Sequence, residues 1–310
     1  MVFIILISLL VPTALLAALA FSRPPNFLLY LLSVVGYGLV LFLAWLVLPW
    51  HITSMYLRML LPFAFAIAAL AAWARIGTRL AGPPDRVYQA LFAVFFLAVI
   101  GVFGWADWKV LSASRAPSEP VRMAMPLQDG FYVVGQGGAS RVINGHHGIS
   151  PQDYAIDIIG MNALGSRLDW FSGRAGPAAY AIFGHRIYAP CDGEVRVAED
   201  GHPDLFPGQA DRHNLAGNHV LLGCQDTKVL LAHMMNGSLE VSEGDIVATG
   251  DLLGRVGNSG NTSEPHLHLQ VARGGGPYDA LDGRSVPMLL DGRFLVRGDL
   301  VKPDVDTAGR

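Results

Sequence analysis

The residues with the clearest capacity for chemistry lie on short apolar runs in the second half of the chain. In His266-Leu267-His268-Leu269-Gln270-Val271 a strand puts alternate residues on one side. His266 and His268 then share a face, and Leu267 and Leu269 take the other. Asp157 sits inside Tyr154-Ala155-Ile156-Asp157-Ile158-Ile159, where a carboxylate is costly unless it meets a cation or several donors. His233 ends Val229-Leu230-Leu231-Ala232-His233, on the face of Val229 and Leu231. Asn144-Gly145-His146-His147-Gly148 adds two imidazoles in a turn. Taken singly, each residue also fits a bland role: a polar strand face, a hydrogen-bonded buried acid, a core histidine or an exposed turn. Taken together, one carboxylate and several imidazoles are what a catalytic zinc site needs, with three protein ligands and an open position for water. Nitrogen donors suit zinc better than calcium or magnesium, which prefer oxygen shells.

The elements that must position these residues are short strands. Phe131–Val134, Ala155–Ile159, Arg186–Ala189, Glu194–Ala198, His219–Leu222, Lys228–His233, Ile246–Val247 and His266–Val271 are apolar runs. Turn residues separate them: Asp192-Gly193, Glu243-Gly244-Asp245, Gly250-Asp251 and Gly257-Asn258-Ser259-Gly260-Asn261. This pattern predicts an all-β, mainly antiparallel sandwich or barrel-like sheet.

The first half differs in kind. The 310 residues are 52% hydrophobic and 15% charged, with a mean hydropathy of +0.39, too apolar for one ordinary soluble domain. Residues 1–110 hold only six basic and two acidic residues, about +4. The remainder holds 16 basic and 23 acidic residues, about −7, and nine of the ten histidines. An acidic second half argues against nucleic acid as a partner. Four stretches have the roughly 20 apolar residues that a bilayer crossing requires: Met1–Phe21, Phe27–Trp50, Tyr56–Trp73 and Val87–Trp105. The first has no basic n-region, and Ser22-Arg23-Pro24-Pro25 is not a signal-peptidase exit. No Asp, Glu or Lys falls within these stretches, so a lipid-bilayer anchor is expected rather than a transport path. Arg75, Arg79 and Arg86 assign the third loop to the cytoplasm, which puts both termini outside. The expected organisation is a four-helix transmembrane region over residues 1–110, an extracytoplasmic linker over 111–126 rich in Ser, Pro and Ala, and the β domain over 127–310.

The segments Leu231-Ala232-His233, Gly244-Asp245, Gly254-Arg255-Val256-Gly257-Asn258-Ser259-Gly260-Asn261 and Pro265-His266-Leu267-His268 together resemble the lysostaphin-like zinc metallopeptidases. Tyr188-Ala189-Pro190-Cys191-Asp192-Gly193-Glu194-Val195 and Ala216-Gly217-Asn218-His219-Val220 fit the same pattern. The resemblance covers about residues 130–275. It implies one zinc ion per domain, held by an upstream histidine, Asp157 and His268, with His233 and His266 as catalytic histidines that do not ligate. The commonest family spacing puts the first histidine four residues before the aspartate, where this chain has Asp153. The form Asn-x-His followed by Gln-x-Tyr-Ala-x-Asp resembles a variant that favours His146 over His147. Cys191 and Cys224 flank two strands that the family brings together, and an extracytoplasmic location permits a disulfide there. Two free buried thiols remain the alternative.

The resemblance implies a hydrolase of the bacterial inner membrane whose extracytoplasmic, periplasmic domain cleaves amide bonds in peptidoglycan cross-links or stem peptides. The loop 257–261 and the insert 161–184 would wall its substrate groove. The alternative is a non-catalytic wall-binding or regulatory module acting through a partner hydrolase; the intact Asp157, His233, His266 and His268 set argues against it. A serine hydrolase is unsupported, because no Gly-x-Ser-x-Gly occurs.

Overall fold

The computed structural model describes residues 2–77, 86–170 and 172–302. The chain divides into two compact units, Met1–Ser112 and Ala113–Arg310.

The first unit is helical: α1 (Val2–Ala20), α2 (Phe27–Val47), α3 (Met55–Trp73) and α4 (Arg86–Ala113). Asn26 and Ser54 cap α2 and α3 by accepting from the Leu29 and Tyr56 amides, which satisfies backbone donors that a helix start leaves open. Leu19, Ala68 and Ala72 form a small shared core of α1 and α3, with Tyr30 and Tyr37 of α2 packed against it. Most large apolar side chains, such as Phe63, Ile67 and Leu91, point outward. Among the described residues three helices, α2, α3 and α4, are long and apolar enough to cross a membrane, with mean hydropathies of 2.4, 1.8 and 2.2. The apolar stretch of α1, Ile4–Ala20, is shorter. The fourth helix outruns the stretch ending at Trp105 and takes in Asp107 and Lys109. Both residues lie beyond the apolar stretch Val87–Trp105, which itself holds no Asp, Glu or Lys. Of the three loop arginines that set the orientation, Arg79 lies outside the described residues.

Among the described residues the second unit has thirteen short strands. These are β1 (Val121–Met123), β2 (Phe131–Gln136), β3 (Ile156–Met161), β4 (Arg186–Tyr188), β5 (Gly193–Glu199), β6 (Asn218–Cys224) and β7 (Thr227–Met234). They continue with β8 (Ile246–Val247), β9 (Leu252–Arg255), β10 (Leu267–Arg273), β11 (Arg284–Ser285), β12 (Met288–Leu290) and β13 (Leu300–Val301). The main sheet runs β13-β2-β3-β10-β7-β6-β5-β8, with β11 also on β10, and its pairings are antiparallel. The strand pairs β4–β9 and β1–β12 stand apart from it. One face of the sheet is apolar: Ile156, Ile158, Leu267, Leu269, Val229, Leu231, Val220 and Leu222 are buried there, with Ile187, Leu253, Met288 and Leu290 of the small pairs over them. Each such side chain contributes about 1.5–3 kcal/mol of burial. The opposite face carries the polar site residues beside a second, smaller apolar cluster of Leu221, Leu230 and Ala232.

Part of the segment 111–126 is not a tether. Val121–Met123 pairs in parallel with Met288–Leu290, so the Ser- and Pro-rich stretch ends at Pro120. Cys191 and Cys224 are joined as a disulfide, with Cα atoms 6.2 Å apart, tying the start of β5 to the end of β6.

Candidate metal centre

Asp157 and His268 are cross-strand partners on β3 and β10. Their neighbours Ile156, Ile158, Leu267 and Leu269 turn into the core, so alternation sends both polar side chains to the other face. Asp157 Oδ1 lies 2.9 Å from His268 Nδ1. Asp157 Oδ2 lies 2.9 Å from Nε2 of His146, which arrives from the turn before β3. That turn is pinned by Asn144, a fully buried side chain. Its Nδ2 donates to the carbonyls of Gly138 and Ala155 at 3.0 and 3.1 Å, and its Oδ1 accepts from the His146 amide at 3.1 Å. His147 turns elsewhere: its Nδ1 is 3.3 Å from the Asp153 carbonyl oxygen, and its ring lies beside Tyr154.

Gln270 is the next residue of β10 on the same face. Its Nε2 donates to the Ala280 carbonyl at 2.9 Å, which leaves Oε1 as an acceptor 3.1 Å from His268 Nε2. His268 therefore carries its proton on Nε2, and Nδ1 presents a lone pair. That lone pair faces a carboxylate oxygen at 2.9 Å, an arrangement of two electron donors that calls for a cation. A zinc ion takes such donors at ~2.0–2.2 Å in a tetrahedron, whose edges are roughly 3.3 Å. The ligand atoms of His146, Asp157 and His268 all lie within 4.8 Å of one another. The donor types and their spacing fit zinc.

His233 departs from the expected geometry. Alternation puts it on the core face with Val229 and Leu231. In the structure its φ is 63°, a left-handed conformation that costs a non-glycine residue about 1–2 kcal/mol. The pairing with β6 shifts register across this point. Ala232 and His233 thus both face away from the main core, Ala232 into the small cluster with Leu221 and Leu230, and Met234 returns to the core. Three bonds hold the turn: His233 N to Ala216 O and Gly257 N to His233 O, each 3.0 Å, and His233 Nδ1 to Ser259 O at 2.9 Å. The glycine-rich loop 257–261 so acts as a brace for His233. It packs against Gly217, where a Cβ would come within 2.4 Å of the Ser259 backbone. The His233 and His266 ring centres are 4.9 Å apart, and His233, His266 and His268 form a second convergent group of imidazoles.

His266 is oriented from behind in the same way. Its Nδ1 lies 2.8 Å from the Glu264 carbonyl oxygen, so Nδ1 bears the proton and Nε2 faces Asp157 Oδ1 at 3.5 Å. Burial opposes charge throughout this cluster. For Asp157 the neighbouring His266 and His146 outweigh it and hold the carboxyl well below the usual range. For His266 and His146, Asp157 outweighs burial and raises the pKa of each. For His233, burial and the adjacent His266 and His268 act together and push the pKa well down, so His233 is neutral.

A cavity of about 590 Å³ adjoins the centre, lined by Glu199, His202, Leu215, His219 and Tyr278 among others. Two of its lining residues touch the site: Ala216 through His233 and Ala280 through Gln270. The remaining histidines lie apart from the ligand groups: His185 bonds Tyr132, His202 pairs with Glu199, and His219 bonds the Gly217 carbonyl. Gln270 was missed from the sequence although period-2 alternation put it beside the two histidines. Asn144 and Glu264 act through partners that no local pattern announces.

Residues 176–280 match Peptidase family M23. The match contains His233, His266 and His268 and begins after His146 and Asp157. Among solved structures, the chain is similar to the catalytic domain of lysostaphin from Staphylococcus simulans, at 21% identity over 47% of this chain and 83% of that one, with a TM-score of 0.28. It is similar to a zinc-containing peptidase from Vibrio cholerae at 20% identity, over 42% of this chain and 50% of that one, TM-score 0.24. It is also similar to pseudoalterin, a deep-sea M23 metalloprotease, at 16% identity over 60% of this chain and 99% of that one, TM-score 0.34. The chain spans 37% of the lysostaphin chain solved in solution. No curated protein matches it.

Proposed function

We propose that this chain, which carries a peptidase family M23 domain over residues 176–280, is a membrane-anchored zinc endopeptidase acting on peptidoglycan peptides. Four amino-terminal helices would hold it in the bacterial inner membrane with residues 127–310 on the periplasmic side. The observation that carries the chemistry is the convergence of His146 Nε2, Asp157 and His268 Nδ1 on one point, beside two histidines that each have Nδ1 committed to a backbone carbonyl.

When bound, the ion would polarise the scissile carbonyl and lower the pKa of a water beside it. The chain's own residues would handle the protons. His233, kept neutral by burial, has a free lone pair on Nε2 and accepts the proton of the attacking water. His266, with its proton on Nδ1 against the Glu264 carbonyl, presents the Nε2 lone pair toward the same centre as a second acceptor for the protons of the added water. The water oxygen ends on the acyl carbon, the C–N bond breaks, and the leaving nitrogen takes the proton that His233 accepted. The cavity beside Ala216 and Ala280 receives one arm of the peptide.

The test is digestion of purified sacculi by the full chain in detergent, with wild type beside His268→Ala. Wild type is expected to release new amino groups and soluble muropeptides, and the variant neither. Zinc-loaded wild type that leaves sacculi and isolated cross-linked peptides intact would overturn the assignment in favour of a binding module.

A further inference from the structure

Arg167 lies within the insert between β3 and β4, before the span that matches the peptidase family begins. Its side chain is buried, at 6% exposure, and it forms an ion pair with Glu264. The two residues are 97 positions apart. A buried carboxylate without a partner is costly, so Glu264 has a reason to be where Arg167 is.

The insert holds Arg167 in place. The Ala181 amide donates to the Arg167 carbonyl at 2.9 Å, Leu168 bridges Tyr180, and the Arg167 guanidinium lies 5.7 Å from the Tyr180 ring centre. Asn162 closes the base of the insert, donating from Nδ2 to the Leu168 carbonyl at 2.7 Å and accepting from the Leu164 and Ser166 amides. On the other side of the ion pair, Glu264 belongs to the turn that leads into β10. Its backbone carbonyl receives His266 Nδ1 at 2.8 Å and the Thr262 hydroxyl at 2.7 Å. Thr262 also reaches Asn258 Oδ1 at 3.2 Å. The carbonyl that sets the tautomer and direction of His266 is thus carried by the residue that Arg167 grips.

We propose that Arg167 is a positioning residue: its ion pair with Glu264 fixes the 262–266 turn, so that the Glu264 carbonyl keeps the proton of His266 on Nδ1 and aims Nε2 at the Asp157–His268 centre. This makes the insert part of the machinery that readies the site. The inference rests on the peptidase reading above for its kinetic consequence, and on geometry alone for the His266 tautomer.

The test uses the full chain in detergent with Arg167→Met, Arg167→Lys and Glu264→Gln. Displacing a catalytic group by about 1 Å costs on the order of 10²-fold. Arg167→Met is expected to lower kcat by that order, with KM and zinc content near wild type, while Arg167→Lys recovers most of the loss. Glu264→Gln, which keeps the packing and the fold, is expected to lower kcat in the same direction. In parallel, ¹⁵N-histidine NMR of the zinc-loaded chain reads the tautomer directly. Wild-type His266 is expected to show a protonated Nδ1 and an unprotonated Nε2, and Arg167→Met a mixture. A folded Arg167→Met with wild-type kcat and an unchanged His266 spectrum would overturn the proposal. So would Arg167→Lys no better than Arg167→Met. Absence of hydrolysis in wild type, with the tautomer shift intact in the variant, would count against the peptidase reading and leave this inference standing.

Discussion

Asp157 Oδ1 and His268 Nδ1 stand 2.9 Å apart although 111 residues separate them. With the His268 proton committed to Gln270, the pair is two electron donors held face to face. Without a metal, the neighbouring histidines supply the missing positive charge, and this has a pH signature. The Asp157 pKa is lowered from its unfolded value of about 3.9, so its contribution to stability is present above that value and is lost as pH falls through the folded pKa. The pKa values of His146 and His266 are raised. Their contribution is complete below about 6.5 and is lost as pH rises through the folded values. Melting temperatures of the chelator-treated wild type and Asp157→Asn should therefore differ most between about pH 4 and 6.5. A difference that stays constant from pH 3 to 9 would contradict the pairing.

Gln270 gives a second expectation. It fixes which nitrogen of His268 is free, and removing the partner behind a metal-bound histidine usually costs 10–100-fold in affinity. Gln270→Ala should weaken zinc binding by about that factor, measured by competition with a coloured chelator. An unchanged affinity would remove Gln270 from the centre.

His233 and His266 should separate from the ligand residues in a simple way. His233→Ala and His266→Ala are each expected to keep zinc and lose roughly 10²–10⁴-fold in kcat. Loss of zinc in either would show that it ligates.

The disulfide bears on stability. It closes a loop between residues 33 positions apart, for which chain entropy predicts about 3–4 kcal/mol. Replacing Cys191 and Cys224 together by Ser should lower the denaturant midpoint of the β unit accordingly. A midpoint equal to wild type would mean that the bond contributes nothing to the folded state.

What could be read from the sequence followed the period of a strand. Alternation put His266 and His268 on one face and Leu267 and Leu269 on the other, and the cost of a carboxylate in an apolar run singled out Asp157. That Asp157 shares the histidine face while Ile156 and Ile158 join the core is seen only in the fold. The face of His233 was not legible, because its positive φ breaks the alternation on which that reading rests, and nothing in Leu231-Ala232-His233 signals the bulge. Gln270 was legible by the same rule. Arg167 was not: its partner is distant in sequence, and a lone arginine in an irregular insert resembles any solvated charge. The end of α4 is not marked by hydropathy, because the apolar run stops at Trp105 while the helix continues through Asp107 and Lys109. Helical hydrogen bonding does not require apolar residues.

The measurement that bears most directly on the central claim is the metal content of the purified full chain. Wild type, dialysed against zinc and then against buffer, should hold about one zinc per chain, the content of a single three-ligand site. His146→Ala, Asp157→Ala and His268→Ala should each hold almost none, and their ability to digest sacculi should disappear with the metal. A wild-type chain that is folded and binds no zinc, or that digests sacculi equally well after chelation, would contradict the account.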